Sequence, residues 1–503
     1  MANHLSDIEH VVVLMLENRA FDHLLGYMKA QGTKPGIDGL TGTEAIPADP
    51  TVSGSPLVPV SATAGNAHPD PDAGHELPDV SEQLYGHEDL SFPAGGLNNG
   101  FVVNYKDQSP APASAADIMR CVDPSDPQRI PALATLARRF CVANRWYASM
   151  PGPTWPNRLF AHAATSGGHV TNDLGLYFLP NIFNRLDTAG LAWRIYYHDI
   201  PQSLLFFSLW DDFLLQLFTK RFRQFSSWTA GLSGSTCRLP PYTFIEPQYF
   251  SWTNPITGTV VHANDQHPSH PIAAADRLVR SVYRRLRNSR CWRHSVLVIV
   301  HDEHGGTYDH RFPSHPAINP DGLVSADPPF DFTRYGVRVP AVIVSPWASD
   351  GVCNDVHDHT SILATLEKRF GLAPLTARDA AANTLEGCLT AAALRLSAAQ
   401  APRNLPRAAM ALSARERLVT RPGRRPLSSY QRALVQLALQ IHLPPQSRRR
   451  ALRRVSIERI RTEEQGARVV RARMAVLERH ARAGGGGGGA RGRGSRRVRP
   501  RKR

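Results

Sequence analysis

The stretch VIVHDEHGGTYDH, residues 298–310, carries seven charged or titratable side chains in thirteen positions, counting His and Tyr. Asp302 and Glu303 close the apolar run SVLVIV; His304 follows, then two glycines, then Asp309 and His310. A solvated loop tolerates that density of charge, but a β-branched run of this kind predicts a buried strand. The first apolar run of the chain ends in the same way, for VVVLMLEN delivers Glu17 and Asn18. In open α/β sheets ligands collect at the carboxyl ends of the strands, so both pairs fall where a site is expected. Three carboxylates and an amide oxygen are costly to bury together unless a cation joins them. Hard oxygen donors suit Mg, Ca or Mn, and zinc also takes carboxylates. The competing reading makes each pair a polar strand end that faces water.

A third element belongs to the same question. In SMPGPTWPNRLFAHAATSGG, Thr154 stands two residues before Pro156, and proline is favoured in a first helical turn. Thr154 is then either a helix cap or a nucleophile at a helix N-terminus, where backbone N–H groups and the helix dipole favour an anionic phosphate. A threonine hydroxyl alone is a weak nucleophile and needs a metal to activate it. Histidines complete the set: PDPDAGHE places His75 in a loop, and NDQHPSHP places His267 and His270 ahead of the helix that feeds the carboxylate strand. A loop histidine is most often only solvated.

The elements that must hold these residues alternate in type. Residues 8–16 (IEHVVVLML) predict a first buried strand and FDHLLGYMKA a helix leaving it. IPALATLARRF predicts a helix, CVANRWYAS a strand, PNRLFAHAATSGG a helix ended by glycines, and LAWRIYYHD a strand. AAADRLVRSVYRRLRNS is an amphipathic helix leading into SVLVIV; RVPAVIVSPWA adds a strand and HTSILATLEKRFG a helix. This alternation indicates a layered α/β domain with a largely parallel sheet. Residues 47–115, rich in Pro, Gly, Ala and Asp, read as long surface loops. Past about residue 400 the pattern shifts to Arg-rich helices, over 427–442 and 451–482. The Gly/Arg-rich end, residues 484–503, cannot bury a core and is expected to be disordered. The expected organisation is a catalytic domain over 1–400, a basic helical extension over 401–483 and the tail over 484–503.

Charge follows that division. The net charge of +15 resembles that of nucleic-acid-binding proteins, but beyond residue 400 there are 28 Lys and Arg against 5 Asp and Glu. The first 400 residues are therefore mildly acidic. The six cysteines (121, 141, 237, 291, 353 and 388) form no C-x-x-C pair, which argues against a zinc finger or redox motif, and no disulfide framework is expected at this density. The N-terminus has acids before its apolar run and no small-residue cleavage site, so no signal peptide is expected. LLFFSLWDDFLLQLF, residues 204–218, is too short to span a bilayer and is interrupted by Asp211 and Asp212. A soluble, cytoplasmic protein is the expectation.

Seven stretches together resemble one family: VVVLMLENRAFDHLLG, DAGHE, GPTWPNRLFAHAATSGG, QHPSHPIAAADRLVRSVYRRLRNSRCW, VIVHDEHGGTYDH, RVPAVIVSPWAS and HTSILATLEKRFGLAPLTARDAAA. In this order, over roughly residues 8–395, they are similar to the phosphoesterases that include bacterial and plant phosphatidylcholine-hydrolysing phospholipases C and a group of bacterial acid phosphatases. The resemblance implies an alkaline-phosphatase-like three-layer α/β/α fold and a metal-dependent phosphoric ester hydrolase. It implies Glu17, Asn18, Asp302 and Glu303 as ligands of a divalent ion, and Thr154 as the nucleophile, with His75, His267 and His304 around the scissile phosphate. The glycines after His304 would turn the chain away from the ion. One departure is DAGH, where the phospholipases usually show Pro before Gly. The substrate implied is a phospholipid or another phosphate ester, the alternative within the class being a broad phosphomonoesterase. The basic tail points to an anionic membrane surface or to nucleic acid, and a protein that acts through that tail alone is the reading from another class.

Overall fold

A computed structural model of the chain describes residues 3–175, 177–209, 221–441 and 455–485. Its centre is an eight-stranded sheet. In chain order the strands are β1 (His10–Leu16), β2 (Cys141–Ala143), β3 (Trp193–Tyr197), β4 (Phe222–Gln224), β5 (Tyr242–Ile245), β6 (Ser295–His301), β7 (Ala341–Val344) and β8 (Val352–Cys353). Their spatial order is β8-β2-β7-β6-β1-β5-β3-β4. All pairings are parallel except those of β7, which runs antiparallel to both β6 and β2. The sheet is thus mixed but largely parallel. β1 and β6 lie at its middle and every residue of both is buried, which is why they read as unbroken apolar runs rather than alternating ones.

Helices cover the sheet in two groups. α1 (Pro131–Arg139) packs against α2 (Ile272–Arg287), while α3 (Thr154–Ala163) packs against α4 (Thr360–Phe370). This is the α/β/α layering, with the apolar stripe of each helix turned to the sheet. Several local expectations change. The strand expected over CVANRWYAS ends at Ala143 because Asn144 turns aside, its amide donating to Gly36 O at 3.0 Å and to Asn354 Oδ1 at 2.8 Å. α3 stops at Ala163 with Ala164 itself in the left-handed region, ahead of the glycines expected to end it. Residues 47–115 are more than surface loop: Leu77, Val80, Leu84, Phe101 and Tyr105, from two short helices, form a second hydrophobic cluster.

The cysteines also depart from expectation. Cys237 and Cys291 form a disulfide across 54 residues of chain, their Cα atoms 4.9 Å apart. Sequence spacing could not show this, because the loop before β5 and the turn before β6 meet only in the folded sheet.

After residue 400 the chain returns to the body. α5 (Ser429–Gln440) and α6 (Glu463–Gly485) place Leu434, Leu437, Ala467 and Val470 in the same hydrophobic core as β1 and β6. Buried polar contacts accompany them. Gln431 donates to Tyr249 O at 2.7 Å, and Glu463 accepts from the ring of His270 at 3.0 Å. Burial alone would raise the Glu463 carboxyl, but Arg425 and His270 outweigh it and hold its pKa at about 2. The disorder expected for 484–503 falls, from residue 486 on, outside the described residues, as does the part of the 204–218 run from residue 210. Among the described residues no helix is long and apolar enough to cross a membrane.

Candidate active site

The parallel register of β1 and β6 builds the site. His10 pairs with Ser295 and the match continues in step to Leu16 beside His301. The next residues out of the sheet, Glu17 and Asn18 on one strand and Asp302 and Glu303 on the other, therefore emerge side by side. Backbone bonds hold them there: Asp302 N donates to Leu16 O at 3.1 Å and Arg19 N to Glu303 O at 2.9 Å. Asp302 Oδ1 accepts from Asn18 N at 3.0 Å and from Glu303 N at 2.8 Å. All four side chains are buried, so neither pair is a solvated strand end. Asn18 has φ +48, a left-handed conformation that Asn tolerates better than most residues.

Thr154 faces this cluster. It is the first residue of α3, Pro153 occupies the cap position, and no side chain caps the helix. Its hydroxyl instead lies 3.5 Å from both Glu17 Oε2 and Asn18 Oδ1. The helix-cap reading of Thr154 therefore has no hydrogen bond to support it. One turn further along α3, the buried Arg158 bridges the two strand ends, with Nη2 on Glu17 Oε1 and Nε 3.0 Å from Asp302 Oδ2.

His75 sits across from Thr154. Its Nδ1 meets Ala73 O at 2.8 Å and its Nε2 lies 3.4 Å from the Asn18 amide. His267 is edge-on to it at 6.1 Å between ring centres, and pairs with Asp72 at 3.5 Å. His304 lies one layer behind, its Nε2 2.7 Å from Gln83 Oε1 and its Nδ1 3.5 Å from Glu303 Oε2. His270 is turned away to Asp265 and Glu463. Asp309 and His310 belong elsewhere: with Asp22 they surround the buried Arg338, Asp309 Oδ1 accepting from its Nε at 3.0 Å.

The two glycines bring the motifs into contact rather than simply turning the chain away. Both have positive φ, +61 at Gly305 and +65 at Gly306. A Cβ on Gly305 would stand 2.5 Å from Asn18 O, and one on Gly306 would collide with Gly74 O beside His75. The strand end, the β6 turn and the DAGH loop can meet only because these positions lack side chains. Gly305→Ala should therefore displace Asn18. Left-handed alanine alone costs about 1 kcal/mol, and the clash adds to it. A drop in the melting temperature together with a loss of kcat is expected; an unchanged kcat would show that the approach to Asn18 does not matter.

The electrostatics are those of a crowded acidic centre. Burial drives the Glu17 carboxyl well above the ordinary range; Arg158 opposes this, while Asp302, Asp265 and Glu303 add to it. Burial, with Asp302, likewise lifts Glu303 to about 8 in spite of His75. For His75 burial disfavours the charged ring, but Glu303 and Asp72 outweigh it and hold the pKa at about 10. Burial lowers His267 to about 4 and His304 to about 3.

Arg158 thus bonds two of the three carboxylates, Glu17 and Asp302, and leaves Glu303 outside its reach. Among the described residues Glu303 Oε1 is buried without a hydrogen-bond partner. Glu17 Oε2 and Asn18 Oδ1 have only the long contacts to Thr154, whereas both oxygens of Asp302 already accept from N–H donors. An unpaired carboxylate oxygen in a dry, net-negative, all-oxygen pocket fits a hard cation. Nearby, ligand atoms of Asp72, His75 and His267 also lie within 4.8 Å of one another. The chain has the capacity to hold a metal ion.

Some residues of this centre gave little sign of themselves in the sequence. Arg158 is four residues after Thr154 and so on the same helix face, a signal that was there to be used. Asp72 stands three residues before His75. Tyr249 and Tyr430, stacked edge-on at 5.3 Å beside Arg158 and Trp155, come from distant segments and carry no local signal.

A largely parallel sheet within α/β/α layers brings two acid-bearing strand ends to the N-terminus of a helix. The chain belongs to the phosphoesterase family, whose model, described as "Phosphoesterase family", matches residues 8–373. It is 38% identical over 398 residues to non-specific phospholipase C1 of Arabidopsis thaliana, covering 75% of this chain and 70% of the relative. It is 28% identical to the non-hemolytic phospholipase C of Pseudomonas aeruginosa, covering 73% and 55%. A solved phosphonate monoester hydrolase of Agrobacterium radiobacter aligns at 13% identity over 52% of this chain and 73% of its own, with a TM-score of 0.32. The chain is a phospholipase-C-like phosphoesterase.

Proposed function

We propose that the protein hydrolyses a phospholipid phosphodiester by phospholipase C-type cleavage, through a phospho-threonine intermediate. The observation that carries this is the placement of the Thr154 hydroxyl at a helix N-terminus, 3.5 Å from Glu17 and Asn18 at the paired strand ends. Glu17, Asn18, Asp302 and Glu303 would hold a divalent ion, which supplies Lewis-acid charge to activate the hydroxyl and to bind a phosphate oxygen. Asp302 would share a remaining lone pair, since its oxygens also accept from N–H groups.

Thr154 Oγ attacks phosphorus in line. The Oγ–P bond forms, the bond from phosphorus to the diacylglycerol oxygen breaks, and the threonine proton passes to Glu17 Oε2, the carboxylate oxygen 3.5 Å from the hydroxyl. His75, which Glu303 and Asp72 hold protonated, gives the leaving alcohol its proton, with the neutral His267 edge-on beside it. Water then breaks the Oγ–P bond and releases the phosphorylated headgroup. Arg158 keeps Glu17 and Asp302 in register, and the helix N-terminus favours the anion throughout. Turnover of phosphatidylcholine vesicles against an aryl phosphate tests the substrate class. Release of phosphocholine and diacylglycerol supports the reading, and turnover of the aryl monoester alone would transfer the protein to the phosphomonoesterases.

The basic end is proposed to bind an anionic bilayer. Its eight Lys and Arg beyond Gly485 stand without a single acid, and each is worth about 1 kcal/mol near such a surface. A cut after Gln400 is a poor test, because it would also strip α5 and α6 from the core. Ending the chain at Gly485 should leave turnover of short soluble esters unchanged and reduce activity on anionic vesicles, an effect that added salt on the intact chain should reproduce. Equal vesicle activity at low salt would remove the membrane role.

A further inference from the structure

Four cysteines remain free among the described residues, all buried, and three of them cluster at one edge of the sheet. Cys353 ends the edge strand β8 and Cys141 begins β2, the strand beside it. Cys388 closes the turn Leu385–Cys388, and His357 lies in the loop that leads into α4. Ligand atoms of Cys353, His357 and Cys388 lie within 4.8 Å of one another. His357 Nε2 is 3.6 Å from Cys353 Sγ and 4.0 Å from Cys388 Sγ. A tetrahedral zinc with bonds of about 2.3 Å to sulfur and about 2.0 Å to nitrogen sets its S and N donors about 3.5 Å apart. The first spacing is that of two ligands around one ion, and the second is about 0.5 Å wider. Unlike the bonded Cys237 and Cys291, these sulfurs are separate thiols.

Two further observations point the same way. His357 Nδ1 lies 3.3 Å from Ser361 Oγ, which holds the ring with Nε2 towards both sulfurs, as the outer partner of a metal-bound histidine does. The thiol of Cys141 interacts with that of Cys388, so a third sulfur adjoins the cluster.

We propose that Cys353, His357 and Cys388, with Cys141 beside them, bind a zinc ion at the sheet edge, separate from the oxygen-lined centre. Two thiolates and a neutral imidazole cancel the charge of a divalent ion, as a dry interior requires, and sulfur donors select zinc over Mg, Ca or Mn. Binding displaces the two thiol protons to solvent and involves no redox change. The ion would tie together the edge strand, the 385–388 turn and the loop before α4. That loop also carries His359, whose Nε2 lies 2.5 Å from Asp302 O. The site is structural, and it braces the segment behind the β6 strand end.

The test uses the full-length, reduced protein titrated with Co2+ in place of zinc. One equivalent should give the near-ultraviolet thiolate-to-cobalt charge-transfer absorption, and zinc should abolish it. An ion held only by oxygen and nitrogen gives no such absorption, so the result does not depend on the metal of the phosphoesterase site. Cys388→Ser and His357→Ala should weaken cobalt binding at least tenfold while the ester-hydrolysis metal is retained. Should either variant not fold, zinc-edge X-ray absorption of the intact protein asks the same question: sulfur at about 2.3 Å supports the site. The proposal is overturned by absence of the charge-transfer band, by zinc with only oxygen and nitrogen neighbours, or by fewer than four titratable thiols in the unfolded, unreduced chain. The last result would mean that Cys388 is bonded to one of its neighbours, Cys353 or Cys141.

Discussion

Thr154→Ala should abolish phosphoester turnover while leaving the melting temperature and bound metal almost unchanged. The side chain removed is small, makes no capping bond and touches the strand ends only through two contacts of 3.5 Å. Stability therefore has little to lose. Turnover has much to lose, since knocking out a nucleophile lowers kcat by about 10⁶ in a well-characterised hydrolase. Thr154→Ser keeps the hydroxyl at the helix N-terminus and should retain part of the rate. Rapid acid quench of the wild type during turnover should trap phosphate on residue 154. Near-normal activity in the alanine variant would end the phospho-threonine reading, whatever the serine variant does.

Removal of the cation should have an effect of comparable size. Chelation is expected to stop turnover and a divalent ion to restore it, and the choice of ion is to be read from which one restores it best. Glu17→Gln and Glu303→Gln keep shape while each deletes one negative charge, and each should lower metal affinity at least about 100-fold. Glu303 is the sharper case because its Oε1 has no other partner. Glu303→Gln should remain folded, since neutralising a carboxylate in a crowded acidic cluster relieves repulsion, whereas Glu17→Gln also deletes a partner of the buried Arg158 and should lower the melting temperature as well. Full metal occupancy in both variants would falsify the shared oxygen site.

Arg158 in the same cluster calls for a different treatment from these carboxylates. Its guanidinium is fully buried between Glu17 and Asp302. Removing one partner of a buried pair costs about 3–5 kcal/mol, so Arg158 variants will confuse folding with chemistry and are a poor first experiment.

Much of the candidate site is legible in the sequence. Two apolar runs ending in Glu-Asn and Asp-Glu are local patterns, and a buried strand imposes its composition on the few residues within it. Thr154 next to Pro156 marks a helix start for a similarly local reason. The layered α/β organisation follows from the alternation of periods along the chain. Local propensity did less well where long-range contacts decide. Asn144 ends β2 early through partners at residues 36 and 354. Residues 47–115 look like loop by composition, yet they carry a second apolar cluster. Cys237 and Cys291 meet across two connections.

By itself, the sequence determined which residue types stand at which strand ends, and so the oxygen-donor chemistry of the site and its place in the phosphoesterase family. What only the tertiary structure decided is which of them meet. The parallel register of β1 and β6 sets Glu17 and Asn18 beside Asp302 and Glu303, and bare Gly305 and Gly306 admit Asn18 and the His75 loop. His304 is turned to Gln83, and Asp309 and His310 are spent on Arg338. The tertiary structure also folds the helices at 429–440 and 463–485 back onto the core, with Tyr430 against Trp155, the neighbour of Thr154. The physical reason is that residue chemistry is local to the chain, whereas register, close approach and burial are set by partners hundreds of residues away.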